Sequence, residues 1–93
     1  MTSKSGRKAA REAIASYHEA QLGQLIARAS DGVDGFRTGQ LDAFDVDRIL
    51  FQYSRAAKEL WKFCTLGDAE FTASLLLEHA PIDWWQRGAP KRQ

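Results

Sequence analysis

The chain lacks the cysteine pairs that form disulfides and the long apolar runs that span a membrane. It contains one cysteine, Cys64, which excludes an internal disulfide. No apolar run exceeds three residues, as in Leu75-Leu76-Leu77, whereas about 20 are needed to span a bilayer. The charged residues near the amino terminus are not followed by the apolar stretch of a signal peptide. We therefore expect a cytoplasmic protein without a membrane span.

Proline is also scarce, with two residues in 93. An aromatic content of 11% is that of a chain with a packed core. The length fits one domain, which buries roughly 60% of the surface that the unfolded chain exposes. Both ends are small, polar and basic, so we expect one domain over residues 7–88 between disordered tails at 1–6 and 89–93.

Charge is nearly balanced overall, but it is segregated along the chain. Seven cations at the two ends contribute +7 to a net charge of +1, so the stretch between them carries −6. The cations are Lys4, Arg7, Lys8, Arg11, Arg87, Lys91 and Arg92. Basic ends suit contact with nucleic acid, whereas the acidic body repels a phosphate backbone. A small nucleic-acid-associated regulatory factor is therefore one alternative, and solubilising tails are the preferred interpretation.

Apolar residues recur at helical spacing in three segments, and no segment alternates as a strand does. The first segment predicts a helix from about Arg7 to Ser30, which Gly32 and Gly35 end. The third predicts a shorter helix from about Asp68 to His79, which covers the other two. Asp83-Trp84-Trp85-Gln86 predicts one further helical turn, capped by Asp83 and closed by Gly88.

The second helix has the clearest start. Asp42 is placed to cap it, with Asp45 three residues later and Leu41 in reach of Val46. Gly67 marks its end. Its predicted buried row steps by four and three alternately. That row is Val46, Leu50, Tyr53, Ala57, Leu60 and Cys64, widened by Ile49, Ala56 and Phe63.

The link between the first two helices spans about ten residues, so we expect them to lie antiparallel. The predicted fold class is all-α: a long antiparallel helical hairpin with a short third helix and a terminal turn, pairing into a four-helix-bundle-like dimer. Folding the chain near Arg37 sets His18 beside Ala56 and Ala57, and Gln21 beside Tyr53. His18, Gln21 and Tyr53 then form a buried polar cluster, because a buried imidazole needs hydrogen-bond partners.

Motifs for metal or catalysis fail when their positions are counted. A calcium loop starting at Asp34 would have Gly39 at its sixth position, but Phe36 stands at the third, where an oxygen ligand is required. No Glu-x-x-His pair or phosphate-binding loop is present. We therefore expect no metal, no cofactor and no enzyme. An enzyme or metal protein built on His18, Tyr53 and Cys64 remains a further alternative.

Aromatic residues point instead to contact with another protein. Phe44 and Phe51 are seven residues apart, roughly 160° from the centre of the predicted buried row. They face outward, unless Phe51 lies beneath the stems of Arg55 and Lys58. The predicted interaction surface is therefore Phe44, Phe51, Trp61, Trp84 and Trp85. Core packing is the alternative for at least two of the three tryptophans.

The stretches Leu41-Asp42-Ala43-Phe44-Asp45-Val46-Asp47 and Glu59-Leu60-Trp61-Lys62-Phe63-Cys64 resemble small helical proteins of high-GC Gram-positive bacteria. The resemblance covers about the middle quarter of the chain. It implies a bacterial cytoplasmic origin and no particular activity. Taken together, these patterns predict a homodimerising or partner-binding module.

Overall fold

A computed structural model describes residues 4–65, 67–78 and 81–90, with side chains from residue 6 onward. Four helices follow one another in these ranges: α1 (Lys4–Arg37), α2 (Ala43–Thr65), α3 (Ala69–Glu78) and α4 (Trp84–Arg87). The described ranges contain no strand, which confirms the all-α prediction. None of the helices in these ranges combines the length and apolarity that crossing a membrane requires.

The first helix is longer at both ends than predicted. It begins at Lys4, so residues 4–6 of the predicted tail are helical, while residues 1–3 lie outside the described ranges. It also continues to Arg37, and the prediction that Gly32 and Gly35 end it is wrong. The chain leaves the helical conformation at Gly39, whose φ of +80° suits a residue without a Cβ.

Gly32 and Gly35 allow α1 to approach α2 closely. A Cβ on Gly32 would lie 2.9 Å from Ile49 Cδ1, and a Cβ on Gly35 would lie 2.8 Å from Leu41 Cδ1. Both distances are shorter than ordinary carbon contacts, so a larger residue would displace its neighbour. These glycines therefore serve helix packing, which sequence spacing alone does not distinguish from a helix stop.

The predicted start of α2 is confirmed. The Asp42 backbone N–H donates to Asp45 Oδ2 at 3.0 Å, and the Asp45 backbone N–H donates to Asp42 Oδ1 at 2.8 Å. Each aspartate thus satisfies an amide that the first helical turn leaves unpaired. The hydrogen bond from the Asp42 amide holds the pKa of Asp45 below its ordinary value.

The two long helices run antiparallel, but in a register different from the predicted one. Tyr17 stacks near Phe63 with 6.1 Å between ring centroids, and His18 meets Trp61 edge-on at 5.7 Å. The prediction that His18 lies beside Ala56 and Ala57 is therefore wrong by four or five positions along α2. The link contains only residues 38–42, because α1 extends to Arg37 and moves the turn toward the carboxyl terminus.

The buried side of α2 is turned relative to its predicted row. Ala56 and Leu60 are fully buried, whereas Leu50 is 43% exposed, so the prediction of Leu50 in the buried row is wrong. The reason is α4, which packs on α2 from the side of Gln52 and draws that side into the interior. Tyr53, Ala57, Phe63 and Cys64 are partly buried around this core, and Leu25 and Trp84 complete it.

The carboxyl-terminal turn is firmly attached to α2. Gln52 Nε2 donates to the Trp85 carbonyl at 2.8 Å, and Arg55 Nε donates to the Gly88 carbonyl at 2.6 Å. Asp83 caps the turn by accepting from the Gln86 backbone N–H at 3.2 Å, as predicted. Of the predicted tail at 89–93, residues 91–93 lie outside the described ranges.

The third helix covers the amino-terminal half of α1. It runs over Ala69–Glu78, within the predicted segment, and it contacts α1 more than α2. Thr72 is buried and Leu75 and Leu76 are half-buried, whereas Leu77 is exposed. Helices α3 and α4 therefore lie on the same side of the α1–α2 hairpin, since Tyr17 and Gln21 of α1 share a cleft with Leu75 and with the segment that leads into α4.

Replacing Gly88 with alanine tests how closely α4 approaches α2. A Cβ at Gly88 would lie 2.5 Å from both the Ala56 amide nitrogen and the Gln52 carbonyl oxygen. Because both are backbone atoms, we expect Gly88→Ala to cost about 1–3 kcal/mol of stability. Gly23→Ala is the matched control: nothing lies within 4 Å of its Cβ position, so it should gain about 0.5–1 kcal/mol. Thermal unfolding followed by circular dichroism measures both, and equal melting temperatures would contradict the docked turn.

Candidate interaction surface

The side of the hairpin that faces α3 and α4 is sealed by aromatic packing. Phe63 lies between Tyr17 and Trp84, with ring centroids 6.1 Å and 5.3 Å away. Trp84 Nε1 donates to the Tyr17 hydroxyl oxygen at 2.7 Å, which gives the buried indole N–H its partner. This cluster fills the side of α2 that faces the interior. The surface of α2 that is left for contact with another molecule lies on the opposite side of the helix.

That opposite surface carries a continuous exposed stripe. Its members follow one another at steps of three, four, three, four and three residues, which places them along one side of an α-helix. The exposed stripe consists of Phe44, Asp47, Phe51, Ser54, Lys58 and Trp61, and all six residues are exposed. The spacing is that of a helix that packs lengthwise against another helix.

The aromatic members of the exposed stripe are largely open to solvent, although Trp61 contacts the His18 ring of α1. Phe44 is 75% exposed, Phe51 58% and Trp61 59%. The outward orientation predicted for Phe44 and Phe51 is therefore observed. Arg55, which the sequence offered as a cover for Phe51, donates instead to the Gly88 carbonyl. Scattered exposed apolar residues are ordinary, but an ordered row of large ones is typical of a contact surface.

The charged members of the exposed stripe are of opposite sign. Asp47 lies near the start of α2 and Lys58 near its end, 11 residues apart. Neither side chain forms an ion pair or hydrogen bond with any residue that the structure describes. By contrast, the neighbouring Lys62 pairs with Glu59 at 3.4 Å. Between its aromatic residues the stripe thus carries an anion and a cation that have no partner in the described part of the chain.

The other two predicted surface residues lie elsewhere. Trp84 is 4% exposed and belongs to the core, so its assignment to an interaction surface is wrong. Trp85 is half-buried, and the Arg28 guanidinium lies 5.5 Å above its ring. Both tryptophans are at least half-buried because α4 docks on α2. This contact joins positions more than thirty residues apart in the sequence.

The predicted polar cluster of His18, Gln21 and Tyr53 does not assemble. His18 is half-buried against Trp61 and makes no hydrogen bond with the described residues. Gln21 lines a cleft on the side of the hairpin that carries α3. Tyr53 packs against the core. The register shift separates these side chains, so the hydrogen-bonded cluster is an incorrect prediction, although His18 still serves packing.

Cys64 is a packing residue at the edge of the core. Burial raises the pKa of its thiol, which disfavours the thiolate that nucleophilic or metal chemistry requires. No group of three or more histidine, cysteine, aspartate or glutamate residues suited to a metal occurs among the described residues. The calcium-loop count also fails structurally, since residues 34–37 are helical. His79 lies outside the described residues.

A cleft of about 320 Å³ lies between α1, α2 and the α3 segment. Its lining is largely apolar and consists of Tyr17, Gln21, Phe63, Leu75, Leu76, Pro81 and Ile82. The Tyr17 hydroxyl is already engaged by Trp84. Ligand sites combine an apolar wall with several converging polar groups, whereas this lining offers one phenol and one amide. The cleft is therefore weaker as a functional site than the exposed stripe.

The regular spacing of the exposed stripe is visible in the sequence, but the sequence analysis does not identify all six residues as one surface. Neither Asp47 nor Ser54 is predicted from the sequence to lie in a contact surface, and Lys58 is predicted only as a cover for Phe51. Their steps of three and four match those of Phe44 and Phe51, and this regularity was the available clue. The helical spacing predicts that Phe44 and Phe51 face outward, but a count of apolar residues does not include the polar residues of the same row.

Comparison with protein-family models, with curated proteins and with solved structures gives no match. Function is therefore inferred from the geometry of the exposed stripe and from its contrast with the covered side.

Truncating one residue on each side of α2 tests this contrast. Leu60→Ala should cost about 2–5 kcal/mol, because Leu60 is fully buried and its loss leaves a cavity. Phe51→Ser should change the stability of the isolated chain by less than about 0.5 kcal/mol, because most of its side chain is already in water. Urea unfolding followed by tryptophan fluorescence at nanomolar concentration, where self-association is negligible, measures both. A large loss for Phe51→Ser would mean that Phe51 packs within its own chain.

Proposed function

We propose that the protein is a protein-interaction module and that the exposed stripe of α2 binds a second copy of the same chain. The observation that carries the proposal is the stripe itself: six exposed residues at heptad spacing on one side of a helix whose other side carries the buried Ala56 and Leu60. A helix in a hairpin needs one apolar side for its own fold. The exposed stripe, with its three aromatic residues, is a second regular row that the hairpin does not need for its own fold. It is therefore available for a partner.

A second copy fits the stripe because the area that two stripes could bury is close to that of a small dimer interface. A whole aromatic side chain buries about 200 Å², so the exposed portions of Phe44, Phe51 and Trp61 in two copies offer roughly 750 Å². This is more than half of the ~1,200 Å² of a small stable interface. The stems of lysine and arginine beside the stripe, together with the exposed part of Leu50, supply further area.

The expected affinity follows from the same residues. Full burial of one phenylalanine contributes about 1.5–3 kcal/mol, and a two-fold interface uses each residue twice. Association also costs several kcal/mol in lost freedom of motion. Scaled by their exposed fractions, the three aromatic residues of two copies contribute roughly 6–12 kcal/mol before that cost. They therefore support a dimer whose dissociation constant is micromolar or weaker, since about −8 kcal/mol corresponds to 1 μM.

The two alternatives from the sequence have no comparable support. For nucleic acid, Arg87 of the basic ends lies over the Trp84 ring at 5.8 Å, and Lys8 is 4.0 Å from Glu12. For an enzyme or metal protein, Tyr53 and Cys64 pack against the core while His18 lies against Trp61. These contacts engage Arg87, Lys8 and the three residues of the enzyme alternative within the chain itself.

Light scattering behind a sizing column tests self-association. At high micromolar concentration the wild type should elute at the mass of two chains, and Phe51→Glu should elute at the mass of one. We expect Phe51→Glu to raise the dissociation constant at least about 100-fold, because two buried rings are replaced by two carboxylates. Phe71→Glu is the matched control, since Phe71 is equally exposed but lies on α3.

A wild type that stays at the mass of one chain would contradict the proposal. A dimer that Phe71→Glu disrupts and Phe51→Glu leaves intact would move the interface from α2 to α3. Circular dichroism of both variants separates loss of pairing from loss of folding.

A further inference from the structure

Resting on the proposed self-association, we infer that two copies pair α2 against α2 in antiparallel orientation, around a two-fold axis that crosses the stripe between Gln52 and Tyr53. The inference comes from the order of residues in the exposed stripe. When a second copy of the stripe is laid beside it in the opposite direction, each residue meets one of complementary size or charge. A two-fold axis makes each residue meet the one that lies equally far on the other side of the midpoint.

The outer positions of the exposed stripe are both aromatic. Phe44 and Trp61 stand eight and a half residues on either side of the midpoint, so each Phe44 meets the partner's Trp61. This contact occurs twice, once at each end of an interface that is about 26 Å long at 1.5 Å per residue. Two large apolar rings on facing helices form a closed end that excludes water.

The intermediate positions carry opposite charge. Asp47 and Lys58 stand five and a half residues on either side of the midpoint, so each Asp47 meets the partner's Lys58. Both side chains are exposed and lack an ion-pair partner among the described residues. A parallel pairing would instead set Asp47 against the partner's Asp47, and Lys58 against the partner's Lys58, which is repulsive. Charge complementarity therefore favours the antiparallel arrangement.

The central positions combine a large residue with a small one. Phe51 and Ser54 stand one and a half residues on either side of the midpoint, so each Phe51 ring meets the partner's Ser54. A small residue opposite a ring lets two helices approach to the usual 8–10 Å between axes. All three kinds of contact, aromatic, ionic and large-on-small, are satisfied by the same axis.

Charge reversal tests this pairing directly. Asp47→Lys and Lys58→Asp each turn two attractive contacts into repulsive ones, so each single variant should raise the dissociation constant about tenfold or more in low salt. The double variant, Asp47→Lys with Lys58→Asp, restores both contacts with exchanged signs. It should return to within about threefold of the wild type. Asp31→Lys on α1 makes the same change in net charge as Asp47→Lys, away from the stripe, and should leave the constant unchanged.

Sedimentation velocity across a dilution series measures these constants at 50 mM and at 1 M salt. The defects of the single variants should shrink in 1 M salt, where the screening length falls to about 3 Å. If the wild type dimerises but single variants match it, or the double variant fails to recover, the antiparallel pairing is wrong while self-association stands. A wild type that remains a single chain removes the proposed function and this inference together.

Discussion

The close approach of Gly88 to Ala56 is the contact on which the rest of the structure depends. A Cβ at Gly88 would lie 2.5 Å from the Ala56 amide nitrogen, so the backbone of the terminal turn rests directly on α2. This approach brings Trp84 over the hairpin, where its indole reaches Tyr17 and stacks near Phe63. A terminal turn of four residues has no independent stability, so it is ordered by this docking.

Docking on one side decides which side of α2 remains free. The turn draws Gln52 and Ala56 into the interior, and the residues about 140–160° away around the helix are left in solvent. Phe51 is five residues from Ala56 and therefore falls on that free side. The core and the exposed stripe both follow from this packing. The covered side supplies the stability of the chain, and the free side carries the stripe that we propose as a surface for a partner.

Much of the fold follows from local chemistry, and this part was predictable from the sequence. The reciprocal caps of Asp42 and Asp45 and the Asp83 cap depend on neighbouring residues, and the structure confirms both. The effects that depend on distant contacts were not predictable. Gly32 looks like a helix stop until Ile49 is placed against it. The register, the burial of Trp84 and the exposure of Leu50 all follow from packing between segments far apart in sequence.

The distance between spin labels in the two copies tests the central claim most directly. With Cys64→Ser as background, a label at Arg48→Cys and one at Lys62→Cys occupy exposed positions on either side of the proposed axis. Antiparallel pairing separates the two copies of residue 48 by about 14 Å along the helix axes, and the two copies of residue 62 by about 29 Å. Pulsed electron spin resonance should therefore give a distinctly longer distance for Lys62→Cys. Equal distances at the two positions, as parallel pairing produces, would contradict the account.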